Sequence, residues 1–237
     1  FTMVLRDGVS RGLMVWEEGR TLDGVLRSFR PSVDEIIIGV DRRSRDETAR
    51  IARKWADIYF EFEWQDHFSN VRNMVLDRAG CKWFFQTDGH EFLSPSSLPF
   101  LASHLKEDGP DVHCVSHYSW EYGEPVRLFS TPRLFRMDRG IRYVRAVHNT
   151  LQHGPEVRVG IAPALALHHH QPLQRAVLRG AQKQAMAPQL KVQAVRGNLP
   201  GGAGYDWYAY GLERASAGVR EAEQAFRRAA EETKDPD

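Results

Sequence analysis

Residues 34–40 read Asp-Glu-Ile-Ile-Ile-Gly-Val, and this run limits the possible folds more than any other stretch of the chain. A strand with one face in water alternates apolar and polar side chains. Three consecutive isoleucines have no polar face to offer, so both sides of such a strand must be covered, as in a parallel strand between helical layers. The neighbouring segments supply those layers. Residues 12–16, Gly-Leu-Met-Val-Trp, predict a first strand, and residues 21–29 carry leucine and valine at helical spacing before Pro31. Residues 44–55 predict a helix capped by Asp46, and residues 58–62 a third strand. Strand–helix–strand alternation of this kind predicts a doubly wound, mainly parallel sheet.

Ligands bind at the carboxyl ends of strands in such sheets, so the residues just after each strand matter most. After residues 68–79, where Val71, Val75 and Ala79 recur every fourth position and Gly80 ends the helix, comes Trp83-Phe84-Phe85-Gln86-Thr87-Asp88-Gly89-His90-Glu91-Phe92-Leu93. The aromatic run predicts a buried strand that stops at a polar turn. In extended backbone, residues two apart project to the same side, so Asp88 and His90 can converge while Gly89 leaves room for a close approach. A carboxylate with an imidazole and no nearby thiolate suits a manganese-type divalent ion better than a structural zinc.

Further along, residues 94–105 predict a helix with proline in its first turn. Residues 111–118 predict a strand, residues 120–125 an aromatic and acidic loop, and residues 126–136 and 141–147 antiparallel strands. Residues 161–167 predict an apolar strand ending in His168-His169-His170. Alternation lets one or two of these histidines face a metal while His169 points away, or the reverse. Arg175, Arg179 and Lys183 recur at helical spacing, as a face able to hold a leaving diphosphate or as a solvated face.

Several of these segments together resemble family 2 glycosyltransferases with the GT-A fold. Residues 83–93 resemble that family's Asp-x-Asp-Glu motif, with His90 in place of the second aspartate, the Asp-x-His form used by polypeptide N-acetylgalactosaminyltransferases. Residues 33–48, with Asp41 and Ser44-Arg45-Asp46-Glu47-Thr48, resemble the family's second strand and the loop after it. Trp64-Gln65-Asp66-His67-Phe68-Ser69-Asn70-Val71-Arg72-Asn73 and Pro132-Arg133-Leu134-Phe135-Arg136 with Val147-His148 resemble two more motifs, in the family order over roughly residues 10–185.

The resemblance implies a mixed, mainly parallel GT-A sheet flanked by helices and a sugar transfer from a nucleoside diphosphate donor, UDP above all. It implies that Glu18, Asp41, Arg72, Asp88, Arg175 and Arg179 bind the nucleotide-sugar, that Asp88, His90, His168 and His170 hold manganese or a similar divalent ion, and that Glu91 and His148 take part in catalysis. Two further positions depart from the family: Glu17 replaces an asparagine, and Asn149 replaces the glutamate after His148. If that glutamate is the family's general base, another group must serve, because an amide takes no proton at neutral pH. Glu91, His148, Glu121 and Glu124 are the candidates, or the transfer retains configuration and needs no protein base.

The net charge of +1 gives no bulk attraction to nucleic acid or anionic membrane. Cys81 and Cys114 lack metal or redox spacing and read as reduced thiols, and no run of eighteen apolar residues is present, so a cytoplasmic location without membrane contact is expected. The expected domains are a GT-A domain over residues 1–195, a glycine-rich linker over 196–204 and a helical hairpin over 205–237. Trp207-Tyr208-Ala209-Tyr210-Gly211, Phe226 and Ala229 in that hairpin resemble one tetratricopeptide unit. Such a pair must pack on the transferase domain or on another copy, which makes a homo-oligomer possible. The acceptor is open among protein, glycan and modified nucleic acid. Two alternatives on the same fold are a non-catalytic binding or scaffolding module and a nucleotidyltransferase.

Overall fold

The computed structural model describes residues 4–101, 105, 108–121, 124–170, 180–196, 199, 202–216 and 221–233. Its contacts sort the chain into two compact units, residues 1–64, 71–142 and 153–171 in one and residues 65–70, 143–152 and 172–237 in the other.

The first unit holds β1 (Arg6–Val15), α1 (Leu22–Phe29), β2 (Glu35–Asp41), α2 (Thr48–Trp55), β3 (Ile58–Phe62), most of α3 (Phe68–Leu76), β4 (Cys81–Gln86), β5 (Glu91–Leu93), the short α4 (Leu98–Leu101), β6 (Val112–Glu121), β7 (Glu124–Arg136) and β10 (Val159–His169). The strands form one eight-stranded sheet in the order β3-β2-β1-β4-β7-β6-β10-β5. Pairs β2–β3, β1–β2, β1–β4 and β6–β10 are parallel; β4–β7, β6–β7 and β5–β10 are antiparallel. This is the mixed, mainly parallel sheet flanked by helices that the motifs predict. As the isoleucine run requires, β2 is buried along its whole length. Ile36 and Ile38 pack with Leu22, Leu26 and Phe29 in one core cluster, while Ile37, outside that cluster, is equally buried.

Strand β1 starts at Arg6, six residues before the apolar run, because its polar residues are paired rather than solvated. Arg6 and Ser10 both donate to the Glu35 carboxylate, at 2.7 and 2.6 Å. Arg11 is wholly buried, its guanidinium 3.7 Å from the Phe29 ring centroid and its Nε donating to Thr87 Oγ1 at 2.9 Å. Burial lowers the Arg11 pKa to about 9 against the raising influence of Glu91, so the side chain stays cationic at neutral pH.

Two expected elements are shorter than the apolar pattern suggests. The helix expected over 94–105 is a 3-10 turn at Pro95–Ser97 followed by α4; residues 102–104 lie outside the described residues. The strand expected over 141–147 is only β8 (Arg142–Val144), because Arg145 turns the chain at φ 79°. Strand β8 pairs with β9 (Thr150–Gln152) in a separate two-stranded sheet.

The second unit contains α5 (Ala187–Arg196), α6 (Gly202–Ser216) and α7 (Glu221–Glu232). Within the expected linker, Arg196 closes one helix and Gly202 opens the next, while residues 197–198 and 200–201 lie outside the described residues. Trp207, Tyr210 and Ala229 are buried, and a Cβ at Gly211 would come within 2.6 Å of the Phe226 ring, so this glycine lets α6 and α7 pack closely. Among the described residues, no helix is long and apolar enough to cross a membrane. Cys81 is buried and Cys114 half-buried, both as free thiols.

Candidate functional site

The sequence folds the turn after β4 back on itself. Glu91 accepts the Asp88 backbone N–H at 2.8 Å through Oε2, which closes Asp88-Gly89-His90-Glu91 and starts β5 antiparallel to the end of β10. Thr21 Oγ1 donates to the Gly89 carbonyl at 2.9 Å, tying the loop after β1 to the turn. A side chain at position 89 would meet Glu18 Cγ at 2.9 Å, so glycine is needed for this close approach.

Glu18 is 3% exposed, and its Oε1 lies 3.0 Å from His90 Nδ1. His90 is wholly buried, and its Nε2 has no hydrogen-bond partner. A carboxylate on one ring nitrogen fixes the tautomer that leaves a lone pair on the other, which is how metal-binding histidines are usually oriented.

The ring beside His90 is that of His169, at 4.5 Å between centroids. His169 also stacks on His117 at 5.4 Å. Burial, and after it the neighbouring His90, lower the His169 pKa to about 4 against the opposing influence of Glu91, so its imidazole is neutral at pH 7. Glu91, His117 and His169 offer donor atoms within 4.8 Å of one another, a grouping that can hold a metal ion. Within it, both Glu91 oxygens already have partners: Oε2 takes the Asp88 N–H, and Oε1 lies 2.7 Å from Arg133 Nη2 and 3.1 Å from His117 Nε2. Burial by itself would raise the Glu91 pKa, but Arg133 and His117 outweigh it and hold the group at about 2. A carboxylate so stabilised is a weak proton acceptor at neutral pH.

His168 and His170 stand apart from His169. His168 Nδ1 accepts from Trp120 Nε1 at 2.9 Å and the ring stacks on Tyr118; burial first, and then His170, lower its pKa. The His170 ring lies parallel to Trp120 at 6.4 Å, and its backbone N–H donates to the His90 carbonyl. Of the two alternatives left by strand alternation, the fold adopts the one in which His169 faces His90.

Asp88 is 8% exposed, with Arg72 Nη2 3.5 Å from its Oδ1. Asp41, 2% exposed at the end of β2, is chelated by Arg43 through Nε and Nη2, the latter at 2.6 Å. The Arg43 guanidinium in turn lies over Trp16 and Trp64, 5.0 and 5.5 Å from the ring centroids. Asp46 accepts the Thr48 N–H and so starts α2, and it also takes the Gly19 N–H. Glu17 turns the chain at φ 54° and accepts the Arg45 N–H.

His148 belongs to the second unit and has φ 51°. The Asn149 amide donates to Ser69 Oγ and to the Arg145 carbonyl, both at 2.7 Å, so the residue in the glutamate position closes its own loop. Arg175 and Arg179 lie outside the described residues, and Lys183 is half-buried. Three residues that organise the site, His117, Arg133 and Arg11, have no role that the sequence pattern assigns.

Known proteins resemble the chain in both sequence and fold. The profile described as glycosyl transferase family 2 matches residues 19–155. A TPR repeat-containing protein of Synechococcus elongatus is 28% identical over 170 residues, which is 68% of this chain and 42% of that protein. The SPbeta prophage-derived glycosyltransferase SunS of Bacillus subtilis is 27% identical over 145 residues, 59% of this chain and 34% of that one. The chain thus spans less than half the length of these curated relatives. The crystal structure of S. aureus TarS 1-349 in complex with UDP-GlcNAc has the same fold, with a TM-score of 0.54 at 14% identity, covering 93% of this chain and 79% of that one.

Proposed function

The chain belongs to glycosyl transferase family 2, and from that premise we propose that it moves a sugar from a nucleoside diphosphate donor, UDP in the first instance, to an acceptor nucleophile in a metal-dependent reaction. The observation that carries this reading is the turn after β4, where Arg72 lies 3.5 Å from Asp88, His90 keeps an unpartnered Nε2, and the His90 ring lies 4.5 Å from that of a neutral His169. The relatives support it: the crystallised TarS holds UDP-GlcNAc, and SunS is named a glycosyltransferase.

Glu91, His117 and His169 are the residues whose donor atoms lie close enough together to hold the ion, and His90, its ring against His169, and Asp88, its N–H on Glu91, border that group and would complete the ligands. Their mixture of imidazole and carboxylate suits manganese better than magnesium. When bound, the ion neutralises charge that develops on the leaving diphosphate. Glu18 orients His90, and Glu91 holds His117, Arg133 and the Asp88 backbone in register. Asp41 offers a carboxylate to a base or ribose N–H or O–H in exchange for one of its Arg43 contacts, and Arg72 offers a cation to the diphosphate. Because Glu91 is paired, the proton acceptor is assigned among His148, Glu121 and Glu124.

Calorimetry with UDP in manganese buffer tests the donor half of this reading. Asp41→Ala and Arg72→Ala are each expected to weaken binding by about 1–3 kcal/mol, the loss of a charged hydrogen bond. Unchanged affinity in both variants would remove them from the donor site.

A further inference from the structure

The second unit gathers the helices with two segments distant in sequence, residues 65–70 and 143–152, which carry the motif before Arg72 and the loop containing His148. That loop is strained: Arg145 and His148 both have positive φ, at 79° and 51°, where non-glycine residues are rare. Strain of this kind persists only where the surroundings over-determine it. Here the helices and the start of α3 hold the polar groups of the loop. Arg145 Nε donates to Asp206 Oδ1 on α6 at 2.6 Å, with both side chains fully buried. Arg145 Nη1 donates to Thr150 Oγ1, and the guanidinium lies 4.5 Å from the Tyr205 ring centroid. The Arg145 carbonyl accepts from Ser69 Oγ at 2.5 Å and from the Asn149 amide. One residue on, the Ala146 N–H donates to Gln193 Oε1 of α5 at 2.7 Å, and its carbonyl accepts the Phe68 N–H at 2.8 Å.

We propose that Asp206 is a positioning residue: through Arg145 it fixes the conformation of the loop that carries His148, the histidine placed above among the candidate proton acceptors. The inference rests on the transferase reading above and adds a role for α6. A buried cation with a buried anion as its partner holds one geometry, because any other arrangement leaves a charge unpaired in a dry interior. Losing the anion frees Arg145 from the conformation that its φ resists.

The test compares Asp206→Asn with the unaltered protein by three measurements. The first is UDP affinity by calorimetry, the second the steady-state hydrolysis of UDP-GlcNAc in manganese, and the third the His148 imidazole resonance by NMR. The expected result is a kcat at least tenfold lower, a KM for UDP-GlcNAc and an affinity for UDP each within twofold, and a displaced His148 resonance. Should Asp206→Asn not fold, Arg145→Lys and Thr150→Ala make the same comparison, with smaller losses expected. An unchanged kcat and an unmoved His148 resonance in a folded variant would overturn the proposal. Failure of the unaltered chain to bind UDP would instead refute the transferase reading, and the His148 resonance would still decide whether Asp206 positions the loop.

Discussion

His169→Ala and His90→Ala should each weaken manganese binding by more than about 100-fold and reduce transfer to near background, whereas His168→Ala and His170→Ala should change either property by less than about threefold. The large effect follows from what each ring nitrogen can do. His90 presents an Nε2 with no hydrogen-bond partner in a fully buried position, and its other nitrogen is held by Glu18. Such a nitrogen has its lone pair available to a metal ion, with the ring oriented by the carboxylate on its other nitrogen. His169 is neutral at pH 7, so binding requires no proton loss. By contrast, the His168 Nδ1 lone pair is used by Trp120, and His170 lies against the same indole. Manganese titration followed by electron paramagnetic resonance reads affinity without relying on catalysis. Equal losses in His168→Ala and His169→Ala would show that the metal lies elsewhere along this strand end.

Strand parity distinguishes these histidines, and parity is a property of the amino-acid sequence itself. Leu165, Leu167 and His169 occupy one face of β10, and both leucines are fully buried, so His169 continues the inward face. The same parity on β6 puts His113, Val115 and His117 inward, all three buried. A histidine on the apolar face of a strand near a polar turn is the signal that identifies His117. Arg133 is visible in the sequence only as part of a motif. Its role depends on β7 lying beside β4, a pairing across dozens of residues that no local pattern encodes. Arg11 is hidden for the opposite reason: an arginine in a strand normally implies a solvated face, whereas here Phe29, Thr87 and the Val25 carbonyl surround it.

The doubly wound half is legible in the sequence because its rules are local. Unbroken apolar runs give strands, helical spacing gives covering helices, and the alternation gives parallel order. The β8–β9 loop is not, since Ile141, Tyr143, Ala146 and Val147 are all buried and look like one strand, while the break at Arg145 is a backbone conformation set by contacts distant in sequence. Asn149 makes the same point at the level of the site. Its sequence signal is the absence of a carboxylate, and its structural use, closing the loop onto Ser69 and Arg145, appears only when residues 80 apart in sequence meet.

Arg133→Met should cost the metal-free protein about 3–5 kcal/mol at pH 7, the usual loss when one partner of a buried ion pair is removed. Glu91 is fully buried, and the guanidinium 2.7 Å from its Oε1 is the main influence holding its pKa at about 2 despite burial. In the unaltered protein the folded pKa is below the unfolded value, so Glu91 contributes stability that is fully present above the unfolded pKa of about 4.5. That contribution, of order 3 kcal/mol for a shift from 4.5 to about 2, is lost as pH falls through that window. Without Arg133 the sign reverses. Burial then raises the folded pKa above the unfolded one, the carboxyl takes a proton more readily folded than unfolded, and stability falls as pH rises. The deficit of Arg133→Met relative to the unaltered chain should therefore be largest near pH 7 and shrink on acidification toward pH 4, where a protonated Glu91 needs no cation beside it. Urea denaturation of both proteins in chelator at pH 7, 5.5 and 4 measures the difference directly. A deficit that stays constant across that range would mean that Arg133 stabilises the fold by packing alone and that the charge on Glu91 is held by its other partners.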